Sequence, residues 1–430
     1  MRPHIVLTLV DDLGFGGVGY HNSELRTPTL DRLAARGLRL DSFYTYRLCG
    51  PSRASLLTGR TPYKLEATRT NFIEFWEESG TEIEYSMLPE QLHRLGYTTH
   101  LVGKWHQGFY HPRYLPMARG FDSFFGFLGG CEDHVTQRVC PTGCEGDLYP
   151  GVGRPVDLFR NDRVAVGENG SASFSHNCLR FGAEAVAVIQ KYAVGTKHAM
   201  GSAAKPLKPL KPLFLFLSLQ DPHAPAQTPL RFERLYSYES RLRNVWSGMV
   251  SAIDETVANV TLALRQAHMW ANTLLVFASD NGSPVAGWGA AGSNAPLRGG
   301  KATDWEGGVR TPAFVSGGWL PRHQRGVRLS GLIHIADLYA TFCAVAADGS
   351  TGARLHTTHA CTRPTCRWSA HPSTLAPPTS CIDKRPRCLA RGFAHLYACH
   401  QGRLCTQSVP RAHCHTCRPP RPLVCMLSAA

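Results

Sequence analysis

No apolar run in this 430-residue chain is long enough to cross a bilayer: Leu213–Leu219 is among the longest, and a membrane helix needs about twenty residues. A leader pattern is missing too, because Met1-Arg2-Pro3-His4 runs straight into Ile5–Val10, which ends in two aspartates instead of a small-residue cleavage site. Acidic residues are nearly absent from 351–430, where eleven Lys and Arg face Asp383 alone. That stretch carries +10 of the net charge of +14 and leaves +4 for the first 350 residues. The basic balance therefore describes a tail, and a nucleic-acid role has no support beyond it. Cysteine divides in the same way, six before residue 351 and nine after it. Hydrophobic content of 43% and charged content of 18% are ordinary for a globular chain.

What is present is alternation of strand and helix patterns. Ile5–Val10, Thr98–Val102, Leu213–Leu219, Thr273–Ser279 and Ala313–Ser316 are apolar runs without polar alternation, which predicts buried strands of a parallel sheet covered on both faces. Between them Pro28–Arg36, Met87–Leu95, Phe181–Tyr192 and a long segment near Glu239–Ala267 predict helices, with Pro28 and Pro89 in first turns. The order argues for an α/β sandwich. Gly195–Pro212, with its Lys-Pro-Leu repeats, predicts a surface insertion that cannot hold a helix. From about Asp348 periodicity stops, so the reading is one domain over 1–347 and a disordered Cys/His/Pro/Arg-rich tail over 348–430.

Residues able to carry chemistry sit at the ends of these elements. Asp11-Asp12 closes the first run, and adjacent carboxylates repel unless a cation lies between them. Asp280-Asn281-Gly282 closes Thr273–Ser279 in the same way. Either pair alone is ordinarily a solvated turn, but four oxygen ligands from two strand ends suit a hard cation such as calcium. Lys104 and His106 follow another strand and alternate, which puts both on one face of an extended segment. Cys49-Gly50-Pro51-Ser52-Arg53 suits a helix start, whose free amides favour an anion, although a lone cysteine there is ordinarily structural. His223 lies in Gln220-Asp221-Pro222-His223-Ala224-Pro225, and Lys301 closes Pro296-Leu297-Arg298-Gly299-Gly300-Lys301.

The Cys49–Arg53 pentapeptide, continued by Leu57-Thr58-Gly59-Arg60, resembles the signature of type I sulfatases, as does Gly96–His106. The resemblance runs from Pro3 to about Ala346, and Leu25–Pro28, Arg119–Asp122 and Pro296–Gly299 are most similar to the arylsulfatase B group. It implies an alkaline phosphatase-like sandwich with a large mixed, mostly parallel sheet between helices. It also implies a sulfuric ester hydrolase acting on a sulfated saccharide or aryl sulfate, in that group the 4-sulfate of N-acetylgalactosamine in glycosaminoglycans. Cys49 would be oxidised to formylglycine by a formylglycine-generating enzyme, since a bare thiol is a poor nucleophile toward a sulfate ester. Calcium would be bound by Asp11, Asp12, Asp280 and Asn281 together with position 49. Arg53, Lys104, His106 and His223 take catalytic roles in the family, and Lys104, His223 and Lys301 bind the sulfate. Cys131, Cys140, Cys144 and Cys178 fall where family members carry disulfides, and Asn169-Gly170-Ser171 and Asn259-Val260-Thr261 are glycosylation sequons; Asn281-Gly282-Ser283 matches the pattern by accident. These details imply a lysosomal or secreted parent whose start has been lost.

After Asp348 the family's small C-terminal domain is expected to be missing or altered, and Cys414-His415-Thr416-Cys417 lacks the partner pair of a zinc knuckle. Two alternatives stay open at this level: a phosphoester hydrolase of the same superfamily, and a truncated sulfatase-like protein without activity.

Overall fold

A computed structural model describes residues 2–66, 77–139, 155–165, 176–200, 211–286 and 291–348. Its strands are β1 (His4–Val10), β2 (Leu38–Leu40), β3 (Phe43–Tyr44), β4 (Thr98–Gly103), β5 (Ser123–Gly126) and β6 (Phe159–Arg160), followed by β7 (Arg163–Val164), β8 (Leu213–Ser218), β9 (Thr273–Ser279), β10 (Ala313–Ser316), β11 (Val327–Leu329) and β12 (Ile333–His334). The helices are α1 (Pro28–Arg36), α2 (Cys49–Thr58), α3 (Leu88–Arg94) and α4 (Asn177–Met200), then α5 (Leu230–Glu233), α6 (Arg241–Gln266), α7 (Glu306–Val309) and α8 (Asp337–Asp348).

Ten strands form one mixed sheet in the order β11-β2-β10-β9-β1-β8-β4-β5-β6-β7, and β3 pairs with β12 apart from it. The centre is parallel, β1 lying between β8 and β9 with β4 beyond β8. Strands buried on both faces need no alternation, and β8 and β9 have none. Val6, Val10, Leu213, Leu215 and Leu217 meet Leu30 and Leu33 of α1, Phe181 and Ile189 of α4, and Ile253 and Val257 of α6. Ile5, Leu7, Leu9, Phe214 and Phe216 meet Leu56 of α2, Leu88 and Leu92 of α3, and Leu338 and Phe342 of α8 on the other side. Each such aliphatic or aromatic side chain contributes about 1.5–3 kcal/mol when fully buried. The sandwich expected from the strand–helix alternation is the fold observed.

Three expectations are corrected. Ala313–Ser316 runs antiparallel to β9, because an apolar run records burial on both faces and not strand direction. Helix α4 continues to Met200, so the first six residues of the segment read as an insertion from Gly195 are helical; proline, the helix breaker there, does not occur before Pro206. The Lys-Pro-Leu repeats before Lys211 and the tail beyond Asp348, including Cys414–Cys417, lie outside the described residues, as do Cys140, Cys144 and Asn169. Cys178, grouped with the disulfide cysteines, is a buried free thiol on α4, 3.4 Å from Thr256 Oγ1 of α6. Asn259 is exposed on α6. No helix among the described residues is long and apolar enough to cross a membrane.

Candidate active site

The parallel register decides which side chains meet. Val10 pairs with Ser279, and Leu9 and Gly103 both pair with Ser218, so the residues following β1, β4, β8 and β9 leave the sheet at one edge. These are Asp11 and Asp12, Lys104 and His106, the Asp221–His223 turn, and Asp280 and Asn281. At Gly103 the backbone turns with φ of 106°, and a Cβ there would lie 1.9 Å from the Ser218 carbonyl oxygen; only glycine lets β4 hand Lys104 into the site. Asp12 and His106 also take left-handed backbone, with φ of 62° and 55°, a conformation that costs non-glycine residues about 1 kcal/mol or more.

Helix α2 delivers Cys49 and, one turn on, Arg53. Arg53 Nε donates to Asp280 Oδ2 at 2.8 Å and Nη1 to Ser218 Oγ at 2.5 Å, while Nη2 lies 3.7 Å from Asp11 Oδ2. Lys104 Nζ donates to Asp11 Oδ2 at 2.5 Å. Lys301 Nζ lies 2.7 Å from Asp12 Oδ1, and Asn281 Nδ2 donates to the same oxygen at 2.6 Å. His223 Nε2 is 3.7 Å from Asp12 Oδ2, and Cys49 Sγ is 3.5 Å from His106 Nδ1. All ten expected site residues therefore come together. Eight of them are buried, whereas the side chains of Lys301 and His223 keep 16% and 14% of their exposure and mark the side open to a ligand.

The Sulfatase family model matches residues 3–348. The chain belongs to the sulfatase family. Mouse arylsulfatase J is 38% identical over 349 residues, covering 80% of this chain and 52% of the relative. Mouse N-acetylgalactosamine-6-sulfatase is 34% identical, covering 80% of this chain and 62% of the relative. The chain thus spans about half to three fifths of the length of these relatives. Among solved structures, that of Ps i-CgsB in complex with k-i-k-neocarrahexaose is 29% identical with a TM-score of 0.68, covering 82% of this chain and 73% of that one.

At the site the fixed charges of the side chains balance. Arg53, Lys104 and Lys301 face Asp11, Asp12 and Asp280. Burial alone would raise Asp11, but Lys104, His223, Arg53 and Lys301 hold it far below the usual carboxylate range. Burial and the neighbouring Asp11 push Asp280 up, against the pull of Arg53 and Lys104. Burial, reinforced by Lys104 and Arg53, holds His106 well below its ordinary value, and burial with Lys301 lowers His223 to about 4. Burial raises the Cys49 thiol despite Lys104 and Lys301 nearby, so the unmodified side chain is neutral.

Calcium fits the residues. Asp11 Oδ1 and Asn281 Oδ1 are buried without a hydrogen-bond partner, and oxygens in that condition are costly unless a cation satisfies them. Carboxylate and amide oxygens are also the donor types a hard cation takes. Ser218, to which the sequence reading gave no role, fixes Arg53 and accepts from the backbone N–H of Lys104 through its carbonyl at 2.8 Å. Its signal was present: it is the polar residue ending the apolar run of β8. Gln107, which donates to the Gly50 carbonyl at 3.3 Å and ties the start of α2 to the β4 turn, had no such signal.

Proposed function

We propose that this chain hydrolyses sulfate esters of saccharides, with formylglycine formed at Cys49 and calcium held by Asp11, Asp12, Asp280, Asn281 and position 49. The observation that carries the reading is the placing of Cys49 beside His106, among three buried or half-buried cations, at the sheet edge that also holds the oxygen donors. Formylglycine supplies, when formed, a hydrated aldehyde whose hydroxyl is the nucleophile, and calcium, when bound, draws charge from the sulfate oxygens. With three cations matched by three carboxylates, a divalent ion leaves the pocket with an excess of positive charge, which favours an anionic ester.

Lys104 and Lys301 bind and orient the sulfate, and being fixed before the reaction they stabilise charge as it shifts toward the leaving oxygen. Arg53 holds the carboxylates in place. His106, neutral at physiological pH, accepts a proton at Nδ1 from the group at position 49. His223 donates from Nε2 to the leaving oxygen. Its Nδ1 is tied to the Ala224 carbonyl at 2.8 Å, and its lowered value means that the bound anion must restore the Nε2 proton.

The relatives named for N-acetylgalactosamine-6-sulfate and the neighbour bound to a carrageenan oligosaccharide support a sulfated saccharide. The 4-sulfate of N-acetylgalactosamine is the finer proposal, and a lysosomal or secreted location accompanies it. The test is release of inorganic sulfate from 4- and 6-sulfated N-acetylgalactosamine and from an aryl sulfate, using chain co-produced with a formylglycine-generating enzyme. Sulfate release that stops with a calcium chelator supports the proposal. Faster cleavage of a phosphodiester or phosphonate ester, or no sulfate release from matured chain, contradicts it.

A further inference from the structure

Next to His223 lies a second group of metal-type side chains that the proposed reaction does not use. His134, His176 and Asp221 come from three places in the chain: the loop after β5, the residue before α4, and the turn after β8. Asp221 and His134 are fully buried and His176 keeps 3% of its exposure. His134 Nδ1 is 3.4 Å from Asp221 Oδ2, and His176 Nε2 is 3.8 Å from Asp221 Oδ1. One ligand atom from each of the three falls within 4.8 Å of the others.

Three observations point to a cation among them. Both oxygens of Asp221 are buried without a hydrogen-bond donor, an arrangement too costly to persist for a carboxylate unless something positive lies against it. The two imidazoles stack with centroids 5.0 Å apart and 2° between planes, so two imidazolium rings would repel, and burial lowers His176 before any other effect. Finally, each ring places one nitrogen against a backbone carbonyl: His134 Nε2 is 3.0 Å from the His223 oxygen and His176 Nε2 is 2.9 Å from the Gln227 oxygen. A carbonyl only accepts, so His176 Nε2 carries the proton, while His134 Nε2 also meets the Gln220 amide nitrogen at 3.2 Å. His134 turns Nδ1 toward Asp221, and His176 Nδ1, buried without a hydrogen-bond partner, offers its lone pair. A ring N–H held by a backbone carbonyl while the other nitrogen is left as a donor is the usual support of a metal-ligating histidine.

We infer that His134, His176 and Asp221 bind a zinc-type divalent cation, distinct from the calcium set and sharing no ligand with it. Two imidazoles and one carboxylate suit zinc better than calcium. The ion would fix the turn carrying His223, since His134 holds the His223 carbonyl and the Asp221 carbonyl accepts the Asp11 N–H at 3.2 Å. The role is structural, and it stands whether or not the chain cleaves sulfate esters.

The test is metal content of the full chain after equilibration with zinc and excess calcium, compared with Asp221→Asn and His176→Gln. Cysteines and histidines in 351–430 can take up zinc themselves, so the readout is the difference between chains. The expected result is loss of about one zinc per chain in each variant with calcium content unchanged. Equal zinc in all three chains overturns the inference. If the variants do not fold, the wild-type chain is treated natively with a thiol-alkylating reagent before loading. Retention of about one zinc whose X-ray absorption shows two imidazole nitrogens and carboxylate oxygen supports the site, and no zinc, or zinc held by more than two imidazoles or by sulfur, overturns it.

Discussion

Cys49 is neutral where it lies, and the groups around it are arranged for an anion. Lys301, one of the two site side chains open to solvent, makes the plainest residue-scale test: Lys301→Ala should lower kcat/KM for a sulfate ester by about 10²–10³, with folding unchanged, because it removes one preorganised cation. Steady-state kinetics beside a thermal melt checks it, and an unchanged kcat/KM removes Lys301 from the sulfate pocket. Arg53 behaves differently, being 1% exposed and spanning Asp280, Ser218 and Asp11. Arg53→Ala should cost about 3–5 kcal/mol in chemical denaturation, because it strands buried carboxylates. Excess calcium should recover part of that loss. At this scale the sequence was informative because most site residues lie just past a strand or in the first turns of a helix, within a recognisable motif, Lys301 on the loop between β9 and α7 being the exception. Gln107 was not legible as a contributor and Ser218 only as the polar end of β8, since their work is to hold the start of α2 and Arg53, contacts that exist only once distant segments meet.

Helix α1 shows how elements depend on one another. Thr27 at its N-terminus makes no side-chain cap, and the orphan amides of Thr29 and Leu30 are instead accepted by Asp254 of α6 at 2.9 and 2.7 Å. Asp254→Ala should therefore destabilise the fold by about 1–3 kcal/mol, read as a shift in denaturation midpoint. The site contacts are elsewhere, so activity per folded molecule should stay the same; a loss of kcat at full folding would contradict this account. Element positions were legible from apolar runs: α1 and β9 match their expected bounds, and α6 is shorter by two residues at its start and one at its end. Direction and extent were less so. The antiparallel β10 is as apolar as its parallel neighbours, and α4 reaches Met200 through a stretch judged by the prolines that follow it.

For the whole molecule, the donor set links stability to calcium. Asp11, Asp12, Asp280 and Asn281 come from the ends of two adjacent central strands, so an ion bound by all four clamps β1 to β9. Saturating calcium at about a hundred times its dissociation constant should add about 2.7 kcal/mol and raise Tm, an effect that chelation reverses and that magnesium reproduces less well. A melting curve indifferent to calcium would count against the assembled site. The fold's centre was readable because its strands are buried on both faces. The His134–His176–Asp221 group was not, since its members are spread over 88 residues and only folding unites them.

The central claim is that Cys49 is the precursor of the nucleophile. Its most direct test is mass spectrometry of the tryptic peptide Leu48–Arg53 from chain produced in cells whose own sulfatases are matured. The account predicts formylglycine at position 49. An unmodified cysteine there, beside matured sulfatases from the same cells, would contradict it.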